Sequence, residues 1–192
     1  LITGIGQGYI QTTPLQLCLM TAQIANGGYT INPKIIVNNN PLNFNEVKKS
    51  FKQQNLLNID NRLVKNPKNL RIIQEAMFSS TNEIRGTSYR SRIDDKKYQF
   101  AGKTGTAQVK RISKRERELD LKIDQIPYND RDHALYIAYG PYVNPRYALS
   151  IIVEHGGSGS KAAAPIAKEL FKLIIDREEL RDKQSNFEKL DI

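Results

Sequence analysis

One cysteine, Cys18, stands in the 192 residues. A single thiol excludes an internal disulfide and any cysteine-rich zinc site. It lies in an apolar run, which marks it as a small buried hydrophobe rather than a nucleophile. The two histidines, His133 and His155, are far apart in sequence and show no ligand spacing, so no metal site and no cofactor are expected. No stretch approaches the roughly 18 consecutive apolar residues of a membrane span. There is no signal peptide, and the first residue is Leu1. Leu1-Ile-Thr-Gly-Ile-Gly reads like the middle of a protein, so the lack of an anchor says little about a parent polypeptide.

What is present is a polar globular chain, 39% hydrophobic and 26% charged, long enough for one domain. Its net charge of +9 raises a nucleic-acid partner. The lysines are scattered, however, and the basic cluster Lys110 to Arg117 is broken by Glu116 and followed by Glu118 and Asp120. Mixed charge of this kind suits a solvated loop, and a nucleic-acid role is set aside.

Thr13-Pro14-Leu15-Gln16 has the N-cap, first-turn proline and capping-box glutamine of a helix start, and Asn26-Gly27-Gly28 a helix stop. The residues between are apolar nearly all round, which predicts a buried helix. Tyr29 to Val37 reads as a short strand, and residues 38–58 as an Asn-, Gln- and Lys-rich surface excursion. Asn66-Pro67 opens a second amphipathic helix to Phe78, with Leu70, Ile73, Met77 and Phe78 as its apolar face. Ser79 to Asp95 is polar and turn-like. Strands are expected over Tyr98–Val109, Ala134–Tyr139 and Tyr147–Glu154, paired antiparallel, with a long charged loop from Lys110 to Asp132. A closing helix after Gly159 would bury Ile166, Leu170, Leu173 and Ile174. From Asp176 the chain becomes a charged tail, a solvated helix end or disordered. The pattern predicts an α+β arrangement of helices on an antiparallel sheet.

Within the first of these strands, Gly102-Lys103-Thr104 invites a phosphate-loop reading. That loop needs a glycine where Lys97 stands and a helix directly after it. Gly105-Thr106-Ala107-Gln108-Val109 is a poor helix start, so both requirements fail.

Ala101-Gly-Lys103-Thr104-Gly105-Thr106-Ala-Gln108 instead resembles the third active-site motif of penicillin-binding proteins and serine β-lactamases. The flanks extend the likeness. Gly4-Ile-Gly-Gln-Gly8 with Thr13-Pro14-Leu15-Gln16 resembles the helix opening of class B penicillin-binding proteins. Asp132 to Ala138 and Pro145 to Ala148 resemble the next two strands, and Val153 to Gly159 with Ala162 to Pro165 the closing turn and helix. The likeness covers about residues 1–175, leaving out the 38–58 excursion and the tail 176–192, and is strongest to the elongation group, penicillin-binding protein 2.

That resemblance implies part of a penicillin-binding, serine β-lactamase-like fold whose N-terminal portion is missing. It implies a serine D,D-transpeptidase that crosslinks peptidoglycan stem peptides by acyl transfer and binds β-lactams. Lys103 and the backbone N–H of Thr106 would be catalytic, the latter in the oxyanion hole. Thr104, Gly105 and Thr106 would bind the terminal carboxylate of a D-alanyl-D-alanine stem, with Gly105 leaving room along the strand. The implied partners are the upstream half of the same domain and an elongation-machinery glycosyltransferase, with a periplasmic domain on an inner-membrane anchor.

Two further motifs of the family, Ser-x-x-Lys and Ser-x-Asn, precede the Gly-Ile-Gly-Gln-Gly segment at which this chain begins. The strings Ser158-Gly-Ser-Lys161 and Ser80-Thr-Asn82 occur here in the wrong order and are assigned to chance. The expectation is therefore a chain with one wall of an active site and no nucleophile, neither crosslinking nor acylated by itself, and with uncovered apolar surface. A non-catalytic peptidoglycan- or β-lactam-binding remnant is the alternative.

Overall fold

The computed structural model describes residues 10–34, 62–64, 66–110 and 121–187, with side chains to residue 182. Helix α1, Pro14–Ala25, starts as its sequence dictates. The Thr13 N–H donates to Gln16 Oε1 at 2.8 Å and the Gln16 N–H to Thr13 Oγ1 at 3.2 Å. Gly27 and Gly28 end it at φ +91° and +87°, angles that only glycine adopts without cost. The expected all-round burial does not occur. Only Thr21 is fully buried, while Leu15 and Met20 are 55% and 41% exposed. The helix lies with one side on the sheet, where Cys18 Sγ reaches the Ala148 carbonyl at 3.4 Å, and leaves Leu15 and Met20 to solvent. Burial there pushes the Cys18 thiol pKa up.

The strand expected at Tyr29–Val37 reduces to a single bridge between Tyr29 and Arg62; residues 35–37 and the 38–58 excursion lie outside the described residues. Helix α2, Pro67–Asn82, is capped by the Asn66 side chain, which accepts from the Lys68 N–H at 3.0 Å. It runs one turn beyond the expected end. Asn82 Nδ2 donates to the carbonyls of Phe78 and, at 2.9 Å, Phe100, fastening the last turn to the next strand. Leu70, Met77 and Thr81 form its buried side, whereas Ile72 and Ile73 are exposed.

The sheet consists of β1 Ala101–Ala107, β2 His133–Gly140 and β3 Tyr147–Val153, antiparallel in the order β1-β2-β3. β1 is shorter than expected at both ends, β2 is one residue longer at each end, and β3 ends one residue early. The register sets Gly102 opposite Ala138, Thr104 opposite Tyr136 and Thr106 opposite Ala134. Side chains alternate between two faces. Ala101, Ile137, Tyr139 and Ala148 pack with Met77 and Phe78 of α2 and Ile24 and Ala25 of α1. Phe100, Ala134, Tyr136 and Ala138 pack with helix α3 on the opposite face.

Helix α3, Ala164–Phe187, follows a wide five-residue turn, Gly159–Ala163. It buries Ala164, Ala167, Phe171 and Ile175, not the expected Ile166, Leu170, Leu173 and Ile174; Ile166 and Leu173 are 43% and 65% exposed. Close approach explains the choice. The Phe171 ring stacks on Phe100 at 4.8 Å, and a Cβ on Gly140 would sit 2.9 Å from Phe171. Ala164 and Ala167 let the helix approach closely enough for Phe171 to reach Phe100, so its inner face runs through these residues rather than through the expected stripe. The charged stretch after Asp176 continues the helix. Glu178 accepts from the Tyr147 hydroxyl at 2.7 Å and pairs with Arg146 at 2.6 Å, while Lys97 pairs with Glu179 at 2.7 Å.

Candidate active site on the first strand

Strand β1 is an edge strand among the described residues, and it climbs from core to surface along its length. Phe100, Ala101 and Gly102 are buried, Lys103 is exposed, Thr104 and Gly105 are half-buried, and Thr106 is exposed. Gly102 is required by contact, since a Cβ there would lie 2.3 Å from the Tyr136 Oη. At Gly105 a Cβ would press on Leu135 at 3.2 Å.

The Tyr136 hydroxyl is itself fixed. It shares hydrogen bonds with Thr81 Oγ1 at 2.9 Å and Ser88 Oγ at 3.0 Å, all buried. Burial raises its pKa, and the two hydrogen bonds oppose that shift. This cluster clamps the end of α2 and the turn after it to the sheet.

By alternation Lys103 and Gly105 project toward the α1/α2 face, and Thr104 and Thr106 toward the other. The Lys103 ammonium bends back to the Thr104 carbonyl at 2.9 Å and touches Thr104 Oγ1 at 3.4 Å. Thr104 Oγ1 also meets Thr87 Oγ1 at 3.2 Å, which meets Ser80 Oγ at 3.1 Å. Thr87 was not anticipated from the sequence, where Gly86-Thr87 reads only as a turn. Beside Lys103 opens a groove of about 530 Å³ with an apolar floor that includes Ile24, Ile73, Met77 and Ile137, and with Arg85 and Thr87 on its rim.

The fold thus brings Lys103, Thr104, Gly105 and Thr106 together on one strand edge. Ser80 joins them through Thr87, yet its string partner Asn82 is committed to two backbone carbonyls. Lys161, the end of the other chance string, lines a separate hollow with Lys122 and Arg131. Ser158 Oγ bonds Ser160 Oγ at 3.0 Å.

The two histidines, distant in sequence, meet with ring centroids 4.8 Å apart. The His155 N–H donates to His133 Nδ1 at 3.0 Å, and His155 Nδ1 lies 3.0 Å from the Arg131 carbonyl. Among the described residues no group of three or more metal-ligating side chains forms. In the loop after β1, Lys110 pairs with Asp130 at 2.8 Å and the Val109 N–H reaches Asp132 at 3.3 Å.

Residues 1–172 match the family described as "Penicillin binding protein transpeptidase domain". The peptidoglycan D,D-transpeptidase MrdA of Salmonella typhimurium is 29% identical over 181 residues, covering 90% of this chain and 26% of that protein. MrdA of Haemophilus influenzae is 31% identical over 180 residues, covering 91% of this chain and 25% of that protein. The chain therefore spans about a quarter of the length of these relatives. Among solved structures, Pseudomonas aeruginosa PBP2 superposes with a TM-score of 0.62 at 31% identity, covering 90% of this chain and 32% of that one. Helicobacter pylori PBP2, solved in a complex with MreC, gives 0.64 at 30% identity, covering 91% and 27%.

Proposed function

Because the chain belongs to the penicillin-binding protein transpeptidase domain family, we propose that it supplies the Lys-Thr-Gly wall of a peptidoglycan D,D-transpeptidase site. The observation that carries this reading is the exposed edge of β1, where Lys103, Thr104, Gly105 and Thr106 stand side by side. The nucleophilic serine comes from the upstream part of the same domain, and the groove beside Lys103 is where that part docks. Its apolar floor suits a packed helix rather than water.

In the reaction the serine oxygen bonds to the carbonyl carbon of the penultimate D-alanine. Negative charge then develops on the carbonyl oxygen. The Thr106 N–H faces that oxygen as one of two oxyanion donors. Thr106 shares backbone orientation with Thr104, whose carbonyl takes the Lys103 ammonium, which fits an N–H on the open edge. Such a donor stabilises the transition state by about 3 kcal/mol. The C–N bond breaks and D-alanine leaves with a proton; an acceptor amine then takes the acyl group. Thr104 and Thr106 hold the terminal carboxylate, and Lys103 adds positive charge beside it. β-Lactams acylate the same serine.

No helix among the described residues is long and apolar enough to cross a membrane. The anchor, the periplasmic setting, and partners such as a glycosyltransferase or an MreC-like protein are assigned to the parent polypeptide. The test uses that polypeptide, carrying this chain and the residues upstream of it. Thr106→Pro removes the N–H and should slow penicillin acylation by about 10²-fold while the sheet persists, since an edge strand tolerates proline where its N–H faces outward. Unchanged acylation in Thr106→Pro would sink the oxyanion assignment.

A further inference from the structure

We propose that Lys122, Arg131 and Lys161 form a binding site for side-chain carboxylates of an acidic peptide. The proposal rests on the transpeptidase reading and deepens it: the peptide is the substrate, and the carboxylates lie upstream of its D-alanyl-D-alanine end.

Three cations, Lys122, Arg131 and Lys161, line one hollow of about 710 Å³ together with Leu121, Ile123 and Asp124. They come from three separate places in the chain: Lys122 opens the short helical turn Ile123–Gln125, Arg131 stands just ahead of β2, and Lys161 lies in the turn before α3. Like charges repel, so gathering them costs stability unless something neutralises them. The chain itself does not. Among the described residues none of the three cations forms an ion pair. The neighbouring acids are engaged elsewhere: Asp130 takes Lys110 at 2.8 Å, and Asp132 accepts the Val109 N–H at 3.3 Å. Asp124 is the one carboxylate on the hollow, against three cations. A concave wall with an excess of one sign concentrates ions of the other.

The walls are fixed by contact. Ile123 rests on Gly157, where a Cβ would lie 2.8 Å from Ile123 Cδ1, and the Gly157 N–H donates to the Asp132 carbonyl at 2.8 Å. Arg131 is half-buried, and its Nε donates to the Ile126 carbonyl at 3.0 Å. That bond sets the plane of the guanidinium and leaves the two terminal nitrogens for a ligand. Two parallel N–H donors match the two oxygens of a carboxylate. Lys161 belongs to a turn that sits on the motif strand, since a Cβ on Gly159 would lie 2.8 Å from the Gly105 carbonyl oxygen and 3.2 Å from its nitrogen. The hollow is thus tied to the strand that carries Thr104 and Thr106. Its volume is that of a site for part of a peptide, more than one small anion fills.

The experiment uses the parent polypeptide and follows how peptides slow its acylation by a fluorescent penicillin. Two synthetic peptides end in D-alanyl-D-alanine; one carries a glutamate ahead of the two D-alanines, the other a glutamine. The acidic peptide should compete at about tenfold lower concentration. In the double variant Lys122→Gln/Lys161→Gln the two peptides should agree within about threefold. In the original polypeptide, salt at about 0.5 M should shrink the preference likewise, which needs no variant to fold. Equal competition by the two peptides in the original, or a preference that survives both the double variant and salt, would overturn the proposal. If inorganic pyrophosphate abolishes the preference at the acidic peptide's own concentration, the hollow is a phosphate site and the carboxylate assignment fails. Normal acylation with no preference sinks this proposal alone. A parent polypeptide that penicillin does not acylate overturns the proposed function, and this proposal with it.

Discussion

Gly102→Ala should be strongly destabilising, because the methyl group it adds collides with a fixed ring. The new Cβ would stand 2.3 Å from the Tyr136 Oη, 2.5 Å from its Cζ and 2.8 Å from its Cε1. Ordinary contact begins near 3.4 Å, so the ring has to retreat by about an ångström. It has nowhere to go: Tyr136 is fully buried, and its hydroxyl is tied to Thr81 and Ser88. Overpacking of this kind costs about 1–3 kcal/mol, and breaking two buried hydrogen bonds adds about 1 kcal/mol each. The sum is about 3–5 kcal/mol. Tyr136→Phe alone costs far less, about 1–2 kcal/mol, because Thr81 keeps the Met77 carbonyl and Ser88 keeps the Ser80 carbonyl. In the double variant the clash with Oη disappears but the one with Cζ remains, so the combined loss falls below the sum of the two. Amide hydrogen exchange reads this without requiring a two-state melt. Protection of residues 101–107 and 133–140 should drop by about two orders of magnitude or more in Gly102→Ala. Protection within about threefold of the original chain would refute the packing argument and the clamp behind Lys103 with it.

Two other outcomes are expected. Burial, helped by the Glu178 carboxylate, pushes the Tyr147 hydroxyl up to about 12, above the ordinary tyrosine value of about 10. A raised pKa means that stability is fully present below about pH 10 and is lost as pH rises toward 12. Tyr147→Phe should therefore be less stable than the original at pH 8, with the gap closing across that window; a gap that stays constant in urea unfolding rules the linkage out. The isolated chain should bind hydrophobic dyes strongly and self-associate, because Leu15, Met20, Ile72 and Ile73 of α1 and α2 are exposed. A sharp, reversible melt with no dye binding contradicts this.

The helix starts and the three strands were legible because they are written in local chemistry: the Thr13–Gln16 box, the Asn66 cap and the alternating strand residues. The inner face of α3 was not, since the close approach that favours Ala164 and Ala167 depends on Gly140 and Phe100, distant in sequence. Burial of α1 was misjudged for a related reason, as composition cannot say how many sides a neighbour covers. The Lys103–Thr106 edge was visible as a motif, and the structure places it on an exposed strand. Thr87 and the meeting of His133 with His155 were invisible, because only the fold joins positions 87 and 104, or 133 and 155.

On the proposed function, this chain carries the Lys-Thr-Gly wall and the attacking serine lies outside it. Labelling with a fluorescent penicillin, followed by peptide mapping of the adduct, tests it on the chain alone and on the parent polypeptide side by side. No covalent, heat-stable band is expected on the chain alone, and in the parent a single acylated serine upstream of Leu1. An adduct on the isolated chain, at Ser158, Ser80 or any other of its serines, would contradict it.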